Sequence, residues 1–136
     1  MNTPDYSHKD LEGRSILYID DEYVNYLYFS ELLSETGATI LRAYSLHQAI
    51  IRIRSEHQLC LVMISASANK RMSNQIVSRI RQIAPNIPMI GIIGNDDNEE
   101  SESFLKIGCD LYLNRYIDNI HLIEIVNELL EGSSNK

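Results

Sequence analysis

With 136 residues, the chain has the length of one domain that buries a substantial hydrophobic core. Its composition, 44% hydrophobic and 23% charged, is ordinary for a globular protein, and no apolar run approaches the roughly 20 residues of a membrane-spanning helix. A net charge of −7 argues against a nucleic-acid-binding surface, which needs positive charge, and leaves a protein partner open.

The start of the chain and its cysteines indicate the compartment. Polar residues follow Met1, so we expect no signal peptide. Cys60 and Cys109 are too few for a disulfide framework and lie in apolar surroundings, which predicts small buried residues in a reducing compartment. We therefore expect a cytoplasmic protein that binds neither a membrane nor nucleic acid.

Strand-like and helix-like segments alternate along the chain between two polar ends. Residues 1–13 and 132–136 show no hydrophobic period and are predicted to be tails, so the domain is expected to span residues 14–131. Short apolar runs predict five strands, in chain order SILYI (15–19), ATILRAY (38–44), LCLVMI (59–64), PMIGII (88–93) and DLYLN (110–114). The third run is apolar throughout, which is typical of a strand buried on both faces.

Each predicted strand is followed by a segment with helical spacing. In the first helix, Val24, Tyr28 and Leu32 are expected to face inward because they recur at intervals of four, and Gly37 is expected to end the helical stretch. The four later helices are predicted to begin after the capping residues Ser45, Ser73, Asp97 and Asp118. Five strand–helix units predict an open, doubly wound parallel sheet with helices on both faces, since a closed eight-unit barrel needs about 200 residues or more.

Polar and charged residues mark the points where several predicted strands end. The carboxyl ends of parallel strands meet at one edge of such a sheet, so Asp20, Asp21, Ser65, Ile93 and Arg115 are expected to converge. The adjacent carboxylates of Asp20 and Asp21 repel each other, and a neighbouring cation is expected to hold them in place. The sequence leaves three choices open, namely a metal ion, a basic side chain, or water alone.

The chain from about residue 15 to residue 130 resembles the receiver domain of bacterial two-component response regulators. The resemblance rests on DDE (20–22) after the first strand, VN (24–25) opening the first helix, TGATILRA (36–43) leading into the second strand and GCDLYLNR (108–115) around the fifth. It implies a flavodoxin-like, five-stranded parallel sheet in the order 2-1-3-4-5, flanked by five helices. It also implies a Mg²⁺ site formed by the acid pair and an aspartate that ends the third strand and accepts a phosphoryl group from a histidine kinase.

Several positions that this family uses in phosphorylation are changed. The family's motif falls on Asp20 and Asp21 for the acid pair, Ser65 for the phosphoacceptor aspartate, Ile93 for the hydroxyl residue, Tyr112 for the aromatic switch and Arg115 for the lysine. A serine hydroxyl is neutral, so it lacks the charge that makes an aspartate both a nucleophile and a metal ligand. The resemblance therefore implies a degenerate receiver that is not an enzyme and has no cofactor, with weak Mg²⁺ binding by the two acids as the most that remains.

Three functions are compatible with these residues. The leading hypothesis is an interaction module of a two-component, or phosphorelay, pathway that binds a histidine kinase, a phosphotransfer protein or another signalling protein, or that forms a homodimer. The second is an unusual phosphoacceptor that uses Asp20, Asp21 or Ser65. The third and weakest is a small nucleotide- or flavin-binding protein, because YIDDEYV (18–24) has no glycine for close approach to a phosphate and its acids repel one.

Two surfaces are candidates for docking a protein partner. With the first helix oriented as predicted above, Tyr23, Tyr26 and Leu27 fall on or near its outer face. The resemblance implies docking of kinase-side helices at this end of the helix, and exposed tyrosines are frequent interface anchors. The fourth helix, fifth strand and fifth helix form the alternative surface, which receivers use to dimerise.

Two further predictions concern Arg115. Its guanidinium, rather than Mg²⁺, is expected to lie beside Asp20 and Asp21, because arginine is long enough to reach across from the fifth strand. The Arg115–Tyr116 bond is expected to be trans, because a cis bond before a residue other than proline costs about 2.5–4 kcal/mol.

Overall fold

The five predicted strands form a single parallel sheet. The structure is a computed structural model that describes residues 11–65, 70–94 and 98–134. Its strands are, in chain order, β1 (Ser15–Ile19), β2 (Thr39–Ala43), β3 (Leu59–Ser65), β4 (Met89–Ile93) and β5 (Leu111–Asn114). The strand order is β2-β1-β3-β4-β5 with every neighbouring pair parallel, so the predicted flavodoxin-like order and the interior position of β1 are confirmed.

A helix follows each strand, as the alternating pattern predicted. The described ranges contain the α-helices α1 (Tyr23–Leu32), α2 (Leu46–Ser55), α3 (Lys70–Ile83), α4 (Asn98–Ile107) and α5 (Asn119–Ser134), with a short 3-10 helix over Ser34–Thr36. In this part of the chain, no helix is both long and apolar enough to cross a membrane.

The sheet is covered by hydrophobic side chains on both faces. On one face, residues of α1 and α5 such as Phe29, Leu122 and Val126 pack on Ile16, Tyr18, Leu61 and Met63 of the central strands. On the other face, α2, α3 and α4 supply Ala49, Ile76, Val77, Ile80 and Phe104 against Leu17, Ile19, Val62 and Ile64. The run Leu61–Ile64 is therefore buried on both sides, which confirms the prediction made from its uninterrupted apolar sequence.

Two of the predicted capping residues act as expected. The Ser45 hydroxyl accepts a hydrogen bond from the backbone N–H of Gln48 (3.2 Å), and the Gln48 side chain accepts one from the backbone N–H of Tyr44 (3.1 Å). At the start of α5, the Asp118 carboxylate accepts a hydrogen bond from the backbone N–H of His121 (2.8 Å). Asp97 lies outside the described residues.

The capping role predicted for Ser73 is wrong. Helix α3 begins at Lys70, and Ser73 is buried inside its first turn. A serine before an apolar repeat resembles a cap in the sequence, but no glycine or proline among residues 70–72 stops the helix from starting one turn earlier.

The packed domain extends beyond the predicted boundaries at both ends. Leu11 is buried in the core, and its backbone N–H donates to the carbonyl of Thr36 (2.9 Å), so the packed part of the described residues includes Leu11, ahead of the boundary predicted at residue 14. Helix α5 continues to Ser134, past residue 131, because a single glycine at 132 does not end it.

The predicted orientation of α1 is wrong for two of its three residues. Val24 and Tyr28, expected to face inward, are 72% and 45% exposed, whereas Phe29 and Leu33 are buried. Leu32, the third, is partly buried and packs against the core as expected. Apolar residues occur on every side of this helix, so its sequence contains little information about which side the core covers.

Arg81 ties the end of α3 to the turns that precede β4 and β5. One terminal nitrogen of its guanidinium donates to the carbonyls of Pro85 (3.0 Å) and Ile87 (2.7 Å), and its Nε donates to the carbonyl of Gly108 (3.1 Å). The other terminal nitrogen lies 3.3 Å from the carboxylate of Asp110, which accepts the backbone N–H of Met89 (2.8 Å). Arg81 thus supplies hydrogen-bond donors to backbone carbonyls in turns, which have no partner in a helix or a strand.

Both cysteines are reduced and buried, as predicted. Burial raises the pKa of the Cys60 thiol, and it raises the pKa of Cys109 to about 12. Neither thiol is therefore poised for nucleophilic chemistry near neutral pH.

Candidate functional site

The strand ends meet at the edge of the sheet where the sequence placed them. Asp20 follows β1 and is buried, Asp21 is exposed, and Ser65 ends β3 half-buried. These three residues line one small cavity of about 20 Å³ together with Ile19, Tyr44, Ile64, Ser73 and Ile76. Ile93 ends β4, is buried, and is not among the residues that line this cavity. Its carbonyl accepts a hydrogen bond from the backbone N–H of Arg115 (2.9 Å).

Asp20 is held by three hydrogen-bond donors of the protein itself. Its Oδ2 accepts the Tyr18 hydroxyl and the Asn25 amide group, both at 3.0 Å. Its Oδ1 accepts the backbone N–H of Glu22 (2.9 Å), just before α1 begins. Because Tyr18 lies on β1 and Asn25 on the first turn of α1, this carboxylate fixes the start of the helix to the strand.

Arg115 points into the site, but the partner predicted for it is wrong. Its guanidinium donates to the side-chain carbonyl of Asn25 (2.8 Å) and forms no ion pair with Asp20 or Asp21. Asn25 bridges the carboxylate of Asp20 and the guanidinium of Arg115. It can do so because an amide side chain donates to one group and accepts from the other at the same time. Arg115 also lies over Gly94, with Nη1 3.6 Å from the place where a Cβ on that residue would be. The Arg115–Tyr116 bond is trans, as predicted.

Tyr18 is the most deeply buried polar group near the acids. Burial raises the pKa of its hydroxyl well above the ordinary value, and the neighbouring Asp20 carboxylate raises it further. Nearby Arg115 and a hydrogen bond with Ser65 lower this pKa by less. The hydroxyl therefore stays protonated and remains a donor to Asp20 over the whole physiological pH range.

Asp21 is held through its backbone rather than through its carboxylate. Its backbone carbonyl accepts a hydrogen bond from Arg42 of β2 (3.2 Å). The Arg42 guanidinium lies over the rings of Tyr23 (5.2 Å) and Tyr44 (5.6 Å), which are cation–π contacts. Arg42 therefore holds both half-exposed tyrosines in place beside the acids.

Two of the three residues predicted to dock a partner are exposed. Tyr23 is 55% exposed and Leu27 is 48% exposed. Tyr26 is partly buried, because its ring packs on the core and its hydroxyl donates to the carbonyl of Ile40 (2.9 Å). The apolar surface of α1, which we call the α1 patch, consists of Tyr23, Val24, Leu27 and Tyr28.

A receiver fold implies Mg²⁺, and the residues present do not fit it. Octahedral Mg²⁺ in such a site takes carboxylate oxygens, water and phosphate. Here Ser65 offers a neutral hydroxyl, and both oxygens of Asp20 already accept hydrogen bonds. Within the ranges that the structure describes, no three His, Cys, Asp or Glu side chains come together as a metal site would require.

Sequence reasoning missed two residues of this site, Tyr18 and Asn25. Tyr18 resembles any core aromatic on a strand, and no sequence signal identifies the acceptor of its hydroxyl. Asn25 belongs to the VN pair on which the resemblance to receiver domains rests. Its position, five residues after Asp20, is the sequence signal that could have identified it as a partner of that carboxylate.

Solved structures with the same fold define the class. A CheY-like response regulator receiver domain from Methanospirillum hungatei JF-1 is 19% identical, with 90% of this chain and 97% of that chain covered and a TM-score of 0.78. The signal receiver domain of an HD domain-containing protein from Pseudomonas fluorescens Pf-5 is 23% identical, with 90% and 98% covered and a TM-score of 0.79. A receiver domain protein from Clostridium thermocellum is also 23% identical, with 89% and 97% covered and a TM-score of 0.77.

The chain therefore has the receiver-domain fold of two-component response regulators. No family model matches its sequence, and no curated protein does. At these identities the likeness establishes the fold, and the function has to be argued from the site.

Proposed function

We propose that the chain is a degenerate receiver domain that acts as a protein–protein interaction module in a two-component or related signalling pathway, without aspartyl phosphorylation or enzymatic activity. The observation that carries this proposal is Ser65, which stands beside Asp20 and Asp21 at the end of β3, where a receiver needs its phosphoacceptor aspartate.

The surroundings of Ser65 do not compensate for its missing charge. A serine nucleophile needs a general base, and the nearest buried carboxylate, Asp20, is occupied by three donors. Ile93 is buried and has no hydroxyl to contact a phosphoryl group, and Arg115 is engaged by Asn25. The cavity beside the acids, about 20 Å³, also argues against a nucleotide or flavin, whose sites measure about 300–1,000 Å³.

Incubation with acetyl phosphate and Mg²⁺ should leave the intact mass of the protein unchanged. A phosphorylatable receiver domain treated in parallel is the positive control. A phosphoryl adduct would favour the second hypothesis, and its chemistry would identify the acceptor. Hydroxylamine releases an acyl phosphate on Asp20 or Asp21, whereas a phosphoserine at Ser65 resists it.

The α1 patch is the surface that best fits a partner. Four large apolar residues on one short helix are unusually exposed, and a helix that is apolar on all sides is normally buried. Tyr23 is held rigidly by Arg42 and by a stacked contact with Tyr26 at 5.7 Å, so little side-chain entropy is lost when it is covered.

Acidic residues border the α1 patch and indicate the kind of partner. Asp21, Glu22, Glu31 and Glu35 are exposed around it, and α1 itself has no basic residue. An apolar helix flanked by lysine or arginine complements such a surface, whereas a second copy of the same patch is repelled. A histidine kinase or phosphotransfer protein that presents such a helix would match it.

Leu27→Asp should weaken binding to a partner recovered from the native cell at least tenfold, which is about 1.4 kcal/mol. Ile51→Asp on α2 is the matched control, because Ile51 is exposed to a similar extent (50%, against 48% for Leu27) and lies on neither candidate surface. Calorimetry with the purified partner measures both variants. An unchanged affinity for Leu27→Asp would remove α1 from the interface.

A homodimer through the other candidate surface is the second possibility that the structure supports. Four residues of α4, β5, the loop that follows β5 and the start of α5 are all more than two-fifths exposed, namely Leu105, Tyr112, Tyr116 and Ile120. Light scattering of the wild type and of Leu105→Asp decides this point, since a dimer through that surface would dissociate in the variant.

A further inference from the structure

A continuous series of side-chain hydrogen bonds runs through the acid site, from Tyr18 on β1 to Arg115 just after β5. The Tyr18 hydroxyl donates to Asp20, the Asn25 amide donates to the same oxygen, and Arg115 donates to the Asn25 carbonyl. We call these four side chains the Tyr18 relay. They join β1, α1 and the residue that follows β5.

We propose that the Tyr18 hydroxyl takes the place of a metal ion at Asp20, so that the Tyr18 relay holds the acid site and the α1 patch in one fixed arrangement without Mg²⁺ or phosphate. The role given to the α1 patch rests on the function proposed above, whereas the claim about Asp20 does not.

The first argument is that Asp20 has little left to offer a cation. A carboxylate has about four acceptor positions, and three of those on Asp20 are used by donors inside the protein. Asp20 is 6% exposed and Tyr18 is 1% exposed, so an entering ion would lose its water and displace a buried hydroxyl. The positive charge of Arg115, one amide group away from Asp20, further disfavours a divalent cation.

The second argument is that the ring of Tyr18 supports the α1 patch from below. It stacks on Phe29 at 5.2 Å between centroids and meets Tyr26 at 6.5 Å. Tyr26 stacks on the exposed Tyr23, and Phe29 meets the edge of the exposed Tyr28 at 5.4 Å. One buried ring, anchored at its hydroxyl by Asp20, therefore positions both exposed tyrosines through their inner neighbours.

Calorimetric titration with Mg²⁺ of the wild type, Ser65→Asp, Tyr18→Phe and the double variant tests the relay. Ser65→Asp alone supplies the missing carboxylate and should still bind Mg²⁺ weakly, because Tyr18 continues to occupy Asp20. The double variant should bind at least tenfold more tightly than Ser65→Asp. The wild type should give no heat up to millimolar Mg²⁺.

A Ser65→Asp variant that binds Mg²⁺ as tightly as the double variant would overturn the proposal, since Tyr18 would then be no obstacle. Should the Tyr18→Phe variants fail to fold by circular dichroism, Ser65→Asp alone decides, because sub-millimolar Mg²⁺ binding by that variant contradicts the relay. The titration needs no partner, so its failure is distinct from a failure of Leu27→Asp to weaken docking.

Discussion

Replacing Tyr18 by alanine should lower the free energy of unfolding by about 4 kcal/mol, a large part of the 5–15 kcal/mol typical of a domain. The ring is fully buried between Phe29 and Tyr26, so its removal leaves a cavity under α1. The same change takes one donor from the buried carboxylate of Asp20. Urea denaturation followed by circular dichroism measures the loss.

Tyr18→Phe separates the two contributions to this loss. It keeps the ring and removes only the hydroxyl, so it should cost about 2 kcal/mol, as expected for a hydrogen bond to a charged group. Tyr116→Ala is the control for a largely exposed tyrosine, because Tyr116 is 76% exposed, and it should change stability by less than about 0.5 kcal/mol. A Tyr18→Ala variant within 1 kcal/mol of the wild type would contradict the assigned packing.

Replacing Arg81 by methionine should lower the free energy of unfolding by about 3 kcal/mol. Methionine keeps the aliphatic stem of arginine but leaves the carbonyls of Ile87 and Gly108, both only partly exposed, without their donor. The salt bridge to Asp110 is partly exposed and adds little. Urea denaturation gives the total loss, and hydrogen exchange should show faster exchange of the amides in the turns that precede β4 and β5.

Arg79→Met on the same helix is the matched control for Arg81. Arg79 is exposed and makes a single surface hydrogen bond to Gln82 (3.1 Å), so its loss should change stability by less than about 0.5 kcal/mol. Equal effects of the two substitutions would show that a general loss of charge on α3, and not the carbonyl contacts of Arg81, is responsible.

The fold was predictable because several independent signals agreed. The unbroken apolar run of β3 identified a strand buried on both faces, and Ser45 and Asp118 marked the starts of α2 and α5 through local hydrogen bonds. Each of these signals lies within a few residues of the structure that it predicts. Ser73 shows the limit of such signals, since the same local pattern occurs inside α3.

The orientation of α1 could not be predicted because the helix is apolar on all sides. A four-residue repeat selected Val24 and Tyr28, whereas the core covers Phe29 and Leu33, which lie on a different side of the helix. The same feature explains the α1 patch. Because the helix is apolar on all sides, burying one side leaves apolar residues exposed on another.

The membership of the site was predicted in part, and its hydrogen-bond connections were not predicted. Asp20, Asp21 and Ser65 come together because the topology of a parallel sheet requires it. The interposition of Asn25 between Asp20 and Arg115, and the acceptor of the Tyr18 hydroxyl, depend on side-chain reach across three elements. The spacing of residues along the sequence does not predict which of these side chains contact one another.

On the function proposed above, the satisfied state of Asp20 makes a phosphorylatable site hard to reach by successive single substitutions. An aspartate introduced at position 65 would meet two other carboxylates while the Tyr18 hydroxyl still occupies Asp20. A phenylalanine gained first at position 18 would leave a buried carboxylate short of a donor, and a threonine at position 93 would put a hydroxyl where Ile93 is enclosed by apolar neighbours. Each of these single changes would lower the stability of the protein, so a phosphorylatable site would require several substitutions together.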